Sequence, residues 1–299
     1  MLARRALRTP TAVCRAYTTA RKALPVPVLA TTDLETFRQE AFQTEQPALL
    51  PRGSFKSLPA IQKWFDSSSG ATILNRSYLA RFGSTTVPLE ISNNGQFART
   101  EQPLAFFLEC VHASTSRYIS QPSRGFSAYV PGAHAVKRMK RSNDFFSAST
   151  LTPPTARIYL AQASLVDLPA GLRNDVPTPD VVPKAGKGDV YDSSIWLGNA
   201  PTYTPLHKDP NPNLFIQLAG RKIVRLYRPE TGRAIFAKVQ EAIRGSASES
   251  MRGEEMMQGA EKKALELEVW SNNDDNQFKQ DLWEAELGSG DGLFIPKGW

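Results

Sequence analysis

The 299 residues are 41% hydrophobic and 9% aromatic, enough to fill one large or two ordinary cores, which excludes wholesale disorder. No run of 18 apolar residues occurs, so a transmembrane helix is excluded, and two cysteines, Cys14 and Cys110, are too few for a disulfide scaffold or a cysteine zinc cluster. Lys and Arg number 36 against 29 Asp and Glu, and what the formal charge of +7 means depends on where it sits.

Much of it sits at the start. Arg4, Arg5, Arg8, Arg15, Arg21 and Lys22 all precede the first acid, Asp33. An acid-free, Arg-rich, weakly amphipathic start has the composition of a mitochondrial transit peptide, and Arg15-Ala16-Tyr17 resembles a matrix-processing site. Removing the four arginines before Tyr17 takes the charge from +7 to +3, so the basic balance reports an address rather than a nucleic-acid partner. A basic arm of a cytosolic or nuclear protein is the alternative. Residues 1–32 are thus expected to be transit peptide and Pro-spaced linker, and the mature protein to reside in the matrix. The other basic cluster, 137–141, lacks interleaved aromatics and reads as a solvated loop.

Residues 33–156 read as a flanking segment of helices and strands. Leu34, Phe37 and Ala41 recur at helical spacing behind a capping Asp33. Pro47–Pro51 reads as a short buried strand, and Pro59 opens a helix with Ile61, Trp64 and Phe65 on one face. Pro103 opens another over 103–112, placing His112 in its last turn as a structural residue; His134 follows Pro131-Gly132 in a loop.

From about 157 the pattern shifts to short β-rich runs: Arg157–Leu165, Ser193–Gly198, Asn213–Leu218, Lys222–Tyr227 and Gly292–Pro296. Ala219-Gly220-Arg221 reads as a hairpin connection between the third and fourth. Residues 238–287 interrupt as a charged, helix-forming surface insertion, with 12 acids and 5 bases between 241 and 286 and a disorder-prone Ser246–Ser250. Helices first and many short strands after predict an α+β chain with an antiparallel barrel or double sheet.

Two features carry chemistry. In Thr204-Pro205-Leu206-His207-Lys208-Asp209, an imidazole and a carboxylate at i and i+2 of extended chain point the same way, as two neighbouring metal ligands must. Lys222 shares the apolar face of Val224 and Leu226, a costly place for a cation unless an anion meets it or the side chain snorkels from the strand end.

With these residues in view, the chain from Pro47 onward, and most specifically from Tyr159, resembles the JmjC and cupin-like 2-oxoglutarate oxygenases. The branch it resembles most is the hydroxylase type that includes factor inhibiting hypoxia-inducible factor. The resemblance implies a double-stranded β-helix (jelly-roll or cupin) core over 157–299 with N-terminal helices packed on it. It implies Fe(II) ligation by His207 and Asp209, and 2-oxoglutarate held by Lys222 of Gly220-Arg221-Lys222, with Thr204, Tyr159 of Tyr159-Leu160-Ala161-Gln162, and Asn213 lining the pocket. Dioxygen is the co-reactant, and the family's substrates include protein side chains and modified tRNA bases.

The family's third ligand is a His after Gly-Asp-x-Leu-Phe-Ile-Pro-x-x-Trp-Trp. Here Gly290-Asp291-Gly292-Leu293-Phe294-Ile295-Pro296-Lys297-Gly298-Trp299 reaches the first of those tryptophans. The expectation is a core incomplete at its C-terminus, whose 299 residues turn over poorly for want of the distal His. The alternative is a cupin-like binding module without catalysis.

Overall fold

A computed structural model describes residues 23–67, 72–93, 96–119, 157–243, 259–271 and 277–299. The Arg-rich start to Lys22, His134, the 137–141 cluster and Ser246–Ser250 lie outside the described residues. The expected linker, by contrast, is part of the fold. Strand β1 (Leu24–Pro25) pairs in parallel with a later strand at Trp283–Glu284, and Val26 and Leu29 are buried.

Helix α1 (Leu34–Phe37) begins where Asp33 accepts the Thr36 N–H at 2.9 Å and continues as a π-turn to Phe42. The hydroxyls of Thr31 and Thr36 and that N–H hold the Asp33 carboxyl down to about 2, the behaviour of a capping carboxylate. After β2 (Ala48–Leu49), Pro59 opens α2 (Pro59–Trp64), as its fixed φ and missing N–H favour. Next come β3 (Phe65–Asp66), β4 (Ile73–Leu74) and α3 (Arg76–Leu79). Asp175 ties this block together, accepting from Lys63 Nζ (2.6 Å), Trp64 Nε1 (2.9 Å) and Tyr78 Oη (2.5 Å). Burial alone would raise its pKa; those three donors outweigh burial and hold it below the usual carboxylate range.

Strands β5 (Thr86–Asn93) and β6 (Gln96–Pro103) form a full-length antiparallel pair that the helix-centred reading of 33–156 missed. The signal was there: Asn94-Gly95 between two alternating runs is a strong hairpin cue. Pro103 ends β6, and α4 (Leu104–Ile119) follows. His112 is therefore exposed midway along a 16-residue helix, not in its last turn. The apolar periodicity faded after Val111, but the helix did not. Strand β7 (Arg157–Ser164) joins β5, α5 (Ala170–Arg173) and α6 (Val181–Ala185) follow, and β8 (Ser194–Gly198) completes the sheet order β6-β5-β7-β8. One face of this sheet packs Val87, Leu89, Leu160, Ala163 and Ile195 against Phe107 and Leu108 of α4.

Strands β9 (Asn213–Ile216) and β10 (Lys222–Leu226) do not form the expected hairpin. After α7 (Pro229–Ala242), α8 (Gly259–Trp270), β11 (Trp283–Leu287) and β12 (Gly292–Ile295), the pairing is nested: β10 with β11 and β9 with β12, in separate sheets β1-β11-β10 and β2-β12-β9. Gly220, at φ +70, lets the chain cross from one sheet to the other instead of folding back on itself. The return crossing at 288–291 is held by the Asp291 carboxylate, which accepts from Gly53 N, Gly288 N and Arg52 Nη1. Nested pairs that cross between facing sheets are the winding of a jelly roll, and the fold is α+β with a cupin-type double-stranded β-helix core.

The insertion expected at 238–287 is differently bounded. Its helices start at Pro229, and Trp283–Leu287 is a core strand. Nor is it merely a surface excursion: Ile235, Val239, Leu265 and Val269 pack with Tyr227, Phe278 and Leu282 into a core of their own. Interleaved acids masked that apolar spacing in the sequence, and one of them, Glu261, is itself buried.

Candidate functional site

His207 and Asp209 lie in a segment, 199–212, that carries no strand. His207 Nδ1 is 2.9 Å from the carbonyl of buried Pro205, where it donates its proton and leaves the Nε2 lone pair free. Nε2 faces Asp209 Oδ1 at 3.6 Å, and both side chains are about a third exposed (40% and 33%). Two donors converging on open space with one imidazole nitrogen already anchored is the arrangement a divalent cation needs from neighbouring ligands. Asn213 Nδ2 donates to the other carboxylate oxygen, Oδ2, at 3.1 Å. Asn213, expected to line the cosubstrate pocket, thus orients the Asp209 carboxylate. Gly298 N donates to the Asp209 carbonyl at 3.0 Å, which draws the chain after β12 up to the same pair. Among the described residues no third His, Cys, Asp or Glu completes a metal-binding group.

Lys222 stands across from β9 with Nζ 4.8 Å from the Phe215 ring centroid. Among the described residues it has no carboxylate partner, and burial pulls its pKa below the ordinary lysine value. A cation held over an aromatic face in a partly dry place, with nothing negative opposite, is a site waiting for an anion. A carboxylate group has the charge such a place requires, and the His207–Asp209 pair has the donor set to hold Fe(II).

Tyr159 is positioned by strand register. Arg99, Glu90, Tyr159 and Gly198 are successive cross-strand partners on β6, β5, β7 and β8, so they share one face. Burial, with the Glu90 charge adding, pushes the Tyr159 phenol up to about 12. The ring lies flush on Gly198, where a Cβ would come within 2.3 Å of Cδ2. Sequence reasoning missed this use of Gly198, and also Phe215 beneath Lys222. Thr204 is exposed and, among the described residues, makes no side-chain hydrogen bond to the other five candidates.

The profile of the cupin-like domain family matches residues 34–299. The chain belongs to the JmjC, cupin-like family of 2-oxoglutarate- and Fe(II)-dependent oxygenases. Among JmjC relatives, lysine-specific demethylase 8 of Danio rerio is 30% identical over 140 residues, 46% of this chain and 30% of its own length. Lysine-specific demethylase JMJ30 of Arabidopsis thaliana is 28% identical over 194 residues, 65% of this chain and 35% of its own. The Xenopus tropicalis lysine-specific demethylase 8 is 23% identical over 278 residues, 92% of this chain and 48% of its own. The chain therefore spans about half or less of the length of these curated relatives.

Proposed function

We propose that the protein is a 2-oxoglutarate-dependent hydroxylase acting on a protein or tRNA substrate in the mitochondrial matrix. The observation that carries this reading is the pairing of the convergent His207–Asp209 donors with an unpartnered, desolvated Lys222. When bound, Fe(II), 2-oxoglutarate and dioxygen supply the oxidation of an unactivated C–H bond, with succinate and carbon dioxide as co-products. The chain's own residues bind and orient. His207 and Asp209 hold the metal through Nε2 and Oδ1, the Pro205 carbonyl fixes the His207 tautomer, and Asn213 fixes the carboxylate rotamer. Lys222 pairs with the distal carboxylate of 2-oxoglutarate, and Tyr159, kept protonated by its raised pKa, offers that carboxylate a hydroxyl donor.

The third metal donor, in this reading, comes from outside the described residues. The Gly298–Asp209 hydrogen bond holds the segment after β12 against this pair. The demethylase names belong to the relatives; oxidation of an N-methyl group and of a side-chain carbon both begin at a C–H bond, and product analysis separates them. The test is turnover: succinate formed by the full-length protein and not by its His207→Ala variant. For the matrix, the Arg-rich start supports the reading, and cleavage after Tyr17 falls before β1, which begins at Leu24. A reporter fused to residues 1–22 is expected to enter mitochondria, and a cytosolic reporter would contradict this address.

A further inference from the structure

The segment that carries both metal donors is the least supported part of the site. Residues 199–212 pair with no strand, so no ladder of backbone hydrogen bonds fixes them. Besides the Gly298–Asp209 hydrogen bond, side-chain packing holds them, and helix α8 contributes to it. Leu206 packs against the α7–α8 core, and the buried Tyr203 hydroxyl lies by Trp270, with Lys262 Nζ 5.8 Å from the Tyr203 ring. The same helix reaches the cosubstrate strand through Arg225, three residues after Lys222 and on the opposite face of β10.

Arg225 makes three contacts at once. Its Nη1 donates to the Val269 carbonyl at 2.6 Å, its Nε to Glu284 Oε2 at 2.8 Å, and its guanidinium lies 4.3 Å from the Trp270 ring centroid. Planar stacking plus a two-armed donor fork is within reach of arginine and not of lysine, whose ammonium is a compact point charge. Through this residue the end of α8 is joined to β10 and β11, while the body of α8 presses on the segment of His207. The two arms of the site thus share one clamp.

We propose that Arg225 is a positioning residue, which fixes α8 across the Lys222 strand and the His207 segment and so keeps the metal pair in register with the anion site. The inference rests on the oxygenase reading above. The test measures Mn(II) binding to the full-length protein by electron paramagnetic resonance in the presence of 2-oxoglutarate, without turnover. Arg225→Lys is expected to weaken Mn(II) binding about tenfold, the scale seen for residues that orient metal ligands, while unfolding stays cooperative. Lys238→Met is the structural control. It breaks the 2.8 Å Lys238–Glu268 pair between α7 and α8 without touching β10, and is expected to leave Mn(II) affinity unchanged. Glu284→Gln removes the charge that meets Arg225 Nε and touches neither α8 nor the His207 segment; it should shift affinity in the same direction, and it decides the matter if Arg225→Lys does not fold. Unchanged affinity in Arg225→Lys, or an equal loss in Lys238→Met, overturns the inference alone. A wild-type protein that takes up no Mn(II) overturns the oxygenase reading and this inference with it.

Discussion

A single lysine concentrates the conflict between stability and function in this protein. Lys222 is kept charged in a place where burial favours its neutral form, so in the empty protein it costs stability. Because its folded pKa is depressed, the unfolded chain holds more protons between that value and the ordinary lysine value near 10.5. Stability from this group therefore rises with pH across that window, and the penalty is greatest below it. Lys222→Met should raise the melting temperature of the ligand-free protein at pH 7, by an amount equivalent to ~1 kcal/mol, and flatten the alkaline rise. The same variant should lose the melting shift that 2-oxoglutarate gives the wild type. Lower stability together with a retained shift would show that Lys222 merely snorkels. The sequence already carried this tension, since a lysine among Val224 and Leu226 on one strand face is legible as a period-two pattern. The roles of Asn213 and Gly198 were not legible, because each depends on which strand lies opposite.

Register, at the level of elements, decides which residues meet. Strands 157–164, 194–198, 213–216, 222–226 and 292–295 stand close to where alternation and turn residues put them. Their partners do not, because pairing depends on chain crossings that no local pattern encodes. The 219–221 turn illustrates this: a Gly between two apolar runs suits a tight hairpin and a crossing between sheets equally well. The α7–α8 excursion illustrates the converse, with buried Ile235, Val239, Leu265 and Val269 hidden in composition by their acidic neighbours. On β8, Gly198 exists so that the Tyr159 ring can lie against the backbone of its partner strand. Gly198→Ala should push that ring aside and raise the KM for 2-oxoglutarate severalfold, with little effect on metal affinity. A change in metal affinity with the KM for 2-oxoglutarate untouched would place Tyr159 elsewhere in the mechanism.

For the whole molecule, the nested β9–β12 and β10–β11 pairs place Phe215 and Lys222 in facing sheets, which is how one strand's aromatic ring comes to lie under the next strand's cation. His207 and Asp209 sit on an unpaired segment braced on one side by Gly298 and on the other by the helical excursion. The core was legible because jelly-roll strands are short and punctuated; the bracing was not, since it comes from elements far apart in sequence. In the proposed function these parts serve oxidation coupled to a 2-oxoacid. The most direct measurement is succinate released by the full-length protein with Fe(II) under air, counted against 2-oxoglutarate consumed. Equal amounts are expected from the wild type, and none above background from His207→Ala or Asp209→Ala. No succinate from the wild type, or undiminished succinate from either variant, would contradict it.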